Sequence, residues 1–258
     1  MRTDVVELAD FYASPIGEVA GGVVGARLAE LWGDVAGQRI LGFGFAAPLL
    51  ERFQAAGART ISIAPAAQGV CPWPREGAGR ASLCEEAHWP LPDASIDRVV
   101  LAHGLEEADS AQALLREVWR VLADDGRLVV VAPNRRGLWA QFDHTPFGRG
   151  QPYSRGQLMR LLETRLFAAT AWSRCLHMPP LRARFMLRGA GAWERAGERL
   201  WPAFAGIVMV EAAKEMYAVR PAARRLSLLP SPAPARKPRS AARSSNEKAR
   251  LRLLPPAD

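Results

Sequence analysis

Two apolar runs, Val99–Ala102 and Leu128–Pro133, bracket the segment DSAQALLREVWRVLADDG and constrain the fold more than any other feature. A strand that is apolar at successive positions is covered on both faces, as in parallel sheets flanked by helices. Between the two runs, Leu114, Leu115, Val118, Trp119 and Leu122 fall on one helical face. Asp109 or Ser110 can cap the start of this helix, and Gly126 is expected to end it. Strand, helix and strand then make one β-α-β unit.

The alternation extends both ways. QRILGF reads as a first strand and APLLERFQAAG as a helix, with Pro48 in its first turn and Gly57 at its end. TISIAP and RASLCE are further strands, SRGQLMRLLET is a capped helix, and FAATAWSRCLH and GIVMVEAAK are a late pair of strands. One or two helices occupy residues 5–32. PPLRARFMLRGAGAWERAGERLWPAFAG reads as a basic amphipathic helix between the late strands. It would either pack on those strands or lie on a membrane surface. The expected class is α/β: a Rossmann-like, mostly parallel sheet with helices on both faces and the first strand central. Residues 1–222 form the domain, with its core at 38–213.

Charge separates body from tail. Arg220–Asp258 holds ten basic and two acidic residues, an excess equal to the chain's whole net charge of +8. The body is formally neutral. Residues 223–258, rich in Pro, Arg, Ala and Ser, cannot bury enough surface to offset their ordering entropy and are expected to be disordered. A weak contact of this tail with nucleic acid or an anionic surface is its functional alternative. Acids at Asp4, Glu7, Asp10 and Glu18 argue against a secretory signal, and no apolar run is long enough for a membrane span. Cys71, Cys84 and Cys175 are odd in number and lack Cys-x-x-Cys spacing, which argues against disulfide or metal frameworks and for a reducing cytoplasm.

Three segments carry a family resemblance: ILGFGFAAP, then EEAHWPLPDASIDRVVLAHGLEE, then LLREVWRVLADDGRLVVVAPN. In order and spacing they resemble the class I S-adenosylmethionine-dependent methyltransferases, in particular the small-molecule group called type 11. The resemblance implies the class I fold, S-adenosylmethionine as cofactor, and methylation of a small-molecule acceptor. It places a cofactor cleft at Gly42, Gly44, Phe45, Ser62, Glu85 and His103. The first motif is degenerate. Gly42 stands where the family carries an acid, Gly44 matches the first glycine, and Ala46 and Pro48 replace the next two. Ser62 falls on the ribose acid and Glu85 on the adenine-side acid. A protein of this fold that has lost catalysis and acts as a binding or regulatory partner is the alternative. A nicotinamide oxidoreductase would want a fuller glycine turn and an acid after the second strand.

His103, His144 and Tyr153 are the catalytic candidates. His103 ends a strand and would serve as general base or orienting group, or as a structural histidine bonded to backbone. Asp97 and Trp119 read as structural. PNRRGLWAQFDHTPFGRGQPYSR combines Arg135, Arg136 and Arg149 with Trp139, Phe142, Phe147 and Tyr153, and carries the pair Asp143 and His144. It is either a lid, whose arginines would suit an anionic acceptor, or an ordered covering loop.

Overall fold

The computed structural model describes residues 2–181, 183–215 and 227–228. Its strands are β1 (Arg39–Gly44), β2 (Arg59–Pro65), β3 (Ala81–Cys84), β4 (Ile96–Ala102), β5 (Leu122–Pro133), β6 (Phe167–Cys175), β7 (Ile207–Lys214) and the short β8 (Ser227–Leu228). Its helices are α1 (Val5–Ala13), α2 (Pro15–Trp32), α3 (Ala47–Ala55), α4 (Ala111–Val121), α5 (Arg155–Glu163), α6 (Arg184–Arg188) and α7 (Ala190–Leu200). The strands make one sheet in the order β3-β2-β1-β4-β5-β7-β6-β8. Neighbours from β3 to β5 are parallel, and β7 runs antiparallel between β5 and β6. The expected class is therefore the observed one.

Alternate residues of the central strands feed two cores, as the period of two requires. Ile40, Val100, Ala102, Val129 and Val131 face α2 and α3, where Val24, Leu28, Leu50 and Phe53 complete the packing. Leu41, Phe43, Val99, Leu101, Leu128 and Val130 face α4 and α5, meeting Leu114, Val118, Leu158 and Leu162. Ser14 caps α2, its hydroxyl accepting from Gly17 N, and Ser154 forms a capping box with Gln157 at α5.

Three boundaries differ from expectation. The helix expected to reach Gly126 ends at Val121, because Leu122 turns extended and pairs with Ile96 as the first residue of β5. Strand pairing and the complete burial of Leu122 outweigh the helical pattern there. The basic helix before β7 is broken into α6 and α7 at Gly189, which has φ −90 and ψ 7. The tail expected to be disordered lies outside the described residues except for Ser227–Leu228, which pair with Ala171 and Trp172 of β6.

Asp97 has the structural role expected of it. Its Oδ2 accepts from Arg39 N at 2.7 Å and Nε at 3.0 Å, and its Oδ1 from Nη2 at 2.6 Å, clamping the start of β1 to the start of β4. These bonds from Arg39 hold its carboxyl below the ordinary range. A depressed carboxylate adds stability above its unfolded pKa and loses it as pH falls. Asp97→Asn should thus lower stability at neutral pH, and the gap between variant and parent should close below about pH 4. Urea midpoints measured across that range test this.

Candidate active site

Gly44 closes β1 with φ +83, and a Cβ there would collide with the Ala102 carbonyl oxygen and the His103 backbone. Glycine is therefore required both for conformation and for space. Phe45 N donates to Ala102 O at 2.8 Å, tying the turn to β4. Ala46 then starts α3 with φ −93, in the right-handed region, so its methyl costs nothing in backbone strain. The turn, the later residues of β2, the first residue of β3 and α1 enclose a cavity of about 530 Å³. Gly44, Phe45, Ser62 and Ala64 line its sheet side, while Tyr12 of α1 and Trp73 line other walls. Its volume and its position at the carboxyl ends of parallel strands suit a nucleotide-sized ligand.

Gly44, Phe45 and Ser62 meet at this cavity, and the other three expected residues do not line it. Gly42 lies beneath α3, where a Cβ would stand 2.6 Å from the Ala46 methyl and 2.9 Å from Leu50 Cδ1. It is a packing glycine. Glu85 has a side chain 82% exposed and lies 3.4 Å from His88, outside the cavity wall. The neighbouring Glu86 is the acid turned inward, bonded to Arg2 and to the backbone N–H groups of Asp109 and Ser110. His103 is buried behind Tyr12, with φ +51.

The catalytic candidates are dispersed. The Tyr12 hydroxyl lies 2.8 Å from His103 Nε2, and His103 Nδ1 lies 3.5 Å from the buried Glu106 Oε1. Among the described residues, Glu106 Oε2 has no hydrogen-bond partner. If the hydroxyl donates to Nε2, the imidazole proton sits on Nδ1 and faces the carboxylate. Burial, followed by the Glu106 charge, pushes the Tyr12 hydroxyl pKa far up, so the chain starts from a neutral phenol. Tyr12, half-buried and stacked on Phe45 at 5.4 Å, is the member that reaches the cavity. His144 is exposed in a separate cleft of about 250 Å³ with Glu7, Asp10 and Arg149, and its Nε2 lies 3.2 Å from Pro180 O. Tyr153 is buried in the core beneath α4 and α5.

The loop after β5 is an ordered cover. Trp139 is fully buried, its indole N–H donating to Met178 O at 2.7 Å, and Phe147 packs edge-on against it. Arg149 pairs with Glu7 of α1.

Tyr12, Ala64, Cys71, Trp73 and the rim carboxylates Glu18 and Glu51 also line the cavity. Sequence reasoning did not assign them. Tyr12 and Glu18 come from helices that precede the motif-bearing strands. The segment after β2 carries no periodic signal.

A mostly parallel sheet of this order, with β7 antiparallel and a cavity at the β1–α3 turn, is the class I methyltransferase fold. Residues 27–130 match the family model described as "Methyltransferase domain". A SAM-dependent methyltransferase structure from Thermotoga maritima is 14% identical, with 82% of this chain and 96% of that one covered and a TM-score of 0.58. One from Archaeoglobus fulgidus is 18% identical, with 74% and 93% covered and a TM-score of 0.54. Geranyl diphosphate C-methyltransferase from Streptomyces coelicolor A3(2) is 14% identical, with 74% and 75% covered and a TM-score of 0.52. No curated protein matches the sequence. The described body carries the class I methyltransferase fold, and residues 27–130 resemble a methyltransferase domain. No helix of the described residues is long and apolar enough to cross a membrane.

Two outcomes are expected of this site. Gly42→Ala should destabilise by about 1–3 kcal/mol, the range for overpacking, and Ala46→Gly in the same chain should relieve most of that loss. A double-mutant cycle in urea measures the coupling. Tyr12→Phe should cost about 1 kcal/mol at neutral pH, since His103 Nε2 loses its partner. A raised phenol pKa destabilises the folded state as pH climbs past the unfolded value, so the same variant should lose less stability than the parent above about pH 10. Urea melts at alkaline pH resolve the two slopes.

Proposed function

We propose that the chain is an S-adenosylmethionine-dependent methyltransferase that holds its cofactor in the cavity at the β1–α3 turn and methylates a small-molecule acceptor. The observation that carries this reading is the Gly44 turn, whose backbone and missing Cβ leave Phe45, Ser62 and Ala64 facing one concave space. The residues fit the group. Gly44 lets the main chain approach it, and the buried Ser62 offers a hydroxyl. Bound cofactor supplies an electrophilic methyl on a sulfonium. The protein's share is alignment and water exclusion, which demand no signature nucleophile.

With Gly42 and Ser62 standing where the family carries acids, the carboxylates available to ribose hydroxyls are Glu18 of α2 and Glu51 of α3. Tyr12 orders the wall by stacking on Phe45, and through His103 it can take up a proton released by an acceptor. The domain of residues 1–222 and a location in a reducing compartment belong to the same reading.

Calorimetric titration with S-adenosylmethionine and S-adenosylhomocysteine tests it. Ala64→Leu, which fills the cavity from β2, should weaken binding by at least ~10-fold. Glu85→Ala should leave it unchanged. Cys71 lines the cavity, while Cys84 and Cys175 are buried thiols. Burial pushes Cys84 up to about 12 and raises Cys175 well above the ordinary value, leaving both poorly reactive. Saturating S-adenosylhomocysteine should therefore protect Cys71 from iodoacetamide, read by peptide mass. A folded chain that binds neither compound at millimolar concentration, with Cys71 unprotected, would reject the reading.

A further inference from the structure

We propose that the outward face of α6, α7 and the turn Pro202–Phe204 is a docking surface for anionic lipid. Its chemistry is unusual. Residues 181–204 carry five arginines, two glutamates and no Lys, Asp, Asn, Gln, Ser or Thr. Both glutamates are turned inward. Glu194 Oε1 accepts from His177 N at 2.7 Å, its Oε2 lies 3.1 Å from His177 Nδ1, and Glu198 pairs with Arg27 of α2. These two contacts fasten α7 to the body and take up the acids. Outward, Arg188, Arg195 and Arg199 are exposed, and none has an acidic partner among the described residues. Apolar side chains flank them: Phe185 is 74% exposed at one end of the helix pair, and Leu200 and Phe204 are 67% and 54% exposed at the other.

An apolar strip with arginines and no acid is complementary to a bilayer surface with negative headgroups. The phenyl and leucyl groups enter the acyl boundary, and the guanidinium groups stay at phosphate depth. Nucleic acid would use the arginines equally well. It would leave Leu200 and both phenylalanines without apolar cover, and the face has no neutral polar group to read a base. The strip lies at the end of the sheet where Ile207 pairs with Pro133, the carboxyl end of β5 and so the end that also holds the cavity. The inference does not depend on the cavity's ligand.

The full chain is tested by sedimentation with vesicles of phosphatidylcholine alone and of phosphatidylcholine mixed with phosphatidylglycerol. Binding is expected to the mixed vesicles only. The triple variant R188Q/R195Q/R199Q should lose ~100-fold in affinity, at roughly the contribution of one basic residue near such a surface per substitution. The variant F185S/L200S/F204S should lose most of its binding, with an unchanged melting temperature. Hydrogen exchange on the unaltered chain gives a second reading that no misfolded variant can spoil, since mixed vesicles should protect residues 185–204. Protection confined to residues 216–258, or full binding by both variants, would assign the contact to the basic tail and overturn the proposal. So would binding of a DNA duplex by a chain that ignores vesicles.

Discussion

The junction of β1 and β4 governs the rest of this structure. Gly44 and Ala102 are register partners at the ends of adjacent parallel strands, and the approach is so close that no side chain fits at Gly44. Phe45 N–H and the Ala102 carbonyl seal the contact. Past this point both chains must turn away. β1 turns into α3 through a residue of positive φ, and β4 turns at His103, which also adopts positive φ. A histidine in the left-handed region is uncommon and is held by its surroundings. Here the His103 carbonyl accepts from Gln68 Nε2, and its ring lies between Tyr12 and Glu106. One backbone contact thus opens the cavity and fixes the histidine that anchors α1 across it.

The degenerate motif is a repacking with a physical logic. A side chain at position 42 and a methyl at position 46 compete for one volume beneath α3, and here residue 46 holds the methyl. Replacing the acid by Gly42 is compatible with Ala46 because the two changes offset each other in space. The carboxylates that line the cavity, Glu18 and Glu51, come from the helices α2 and α3.

The sheet was legible in the sequence because its strands are apolar on both faces and its helices keep a period of 3.6. Val99–Ala102, Leu128–Pro133 and the α4 stripe leave few alternatives. The end of α4 was not legible, since Leu122 satisfies the helical stripe and also pairs with Ile96, and only the sheet decides between them. The turn at Gly44 and Phe45, which lines the cavity, was readable because a tight strand-to-helix turn needs a glycine at a fixed place. Glu85, expected at the cleft from its motif position, has an exposed side chain outside the cavity wall. Whether a side chain after β3 points inward depends on the Glu85–His88 bridge, which turns Glu85 out and Glu86 in. Tyr12 lies 91 residues from His103 and has no local signal, so its role appears only when α1 packs across the strand ends.

Charge distribution follows from the same economy of pairs. The body is neutral overall, and several of its inward-turned acids hold elements in place: Glu117 bonds Arg120 and the Trp89 N–H, Glu86 pairs with Arg2, and Glu198 pairs with Arg27. Each commitment takes a negative charge off the surface near its helix. At α7 both acids are taken up this way, while its arginines, Arg195 and Arg199, stay outside. A formally balanced sequence therefore folds into a body with a locally positive, partly apolar face. Net charge alone would have placed the basic character of the chain entirely in its tail. The fold places a share of it on a rigid helix pair, where its spacing is fixed and its apolar neighbours are fixed with it.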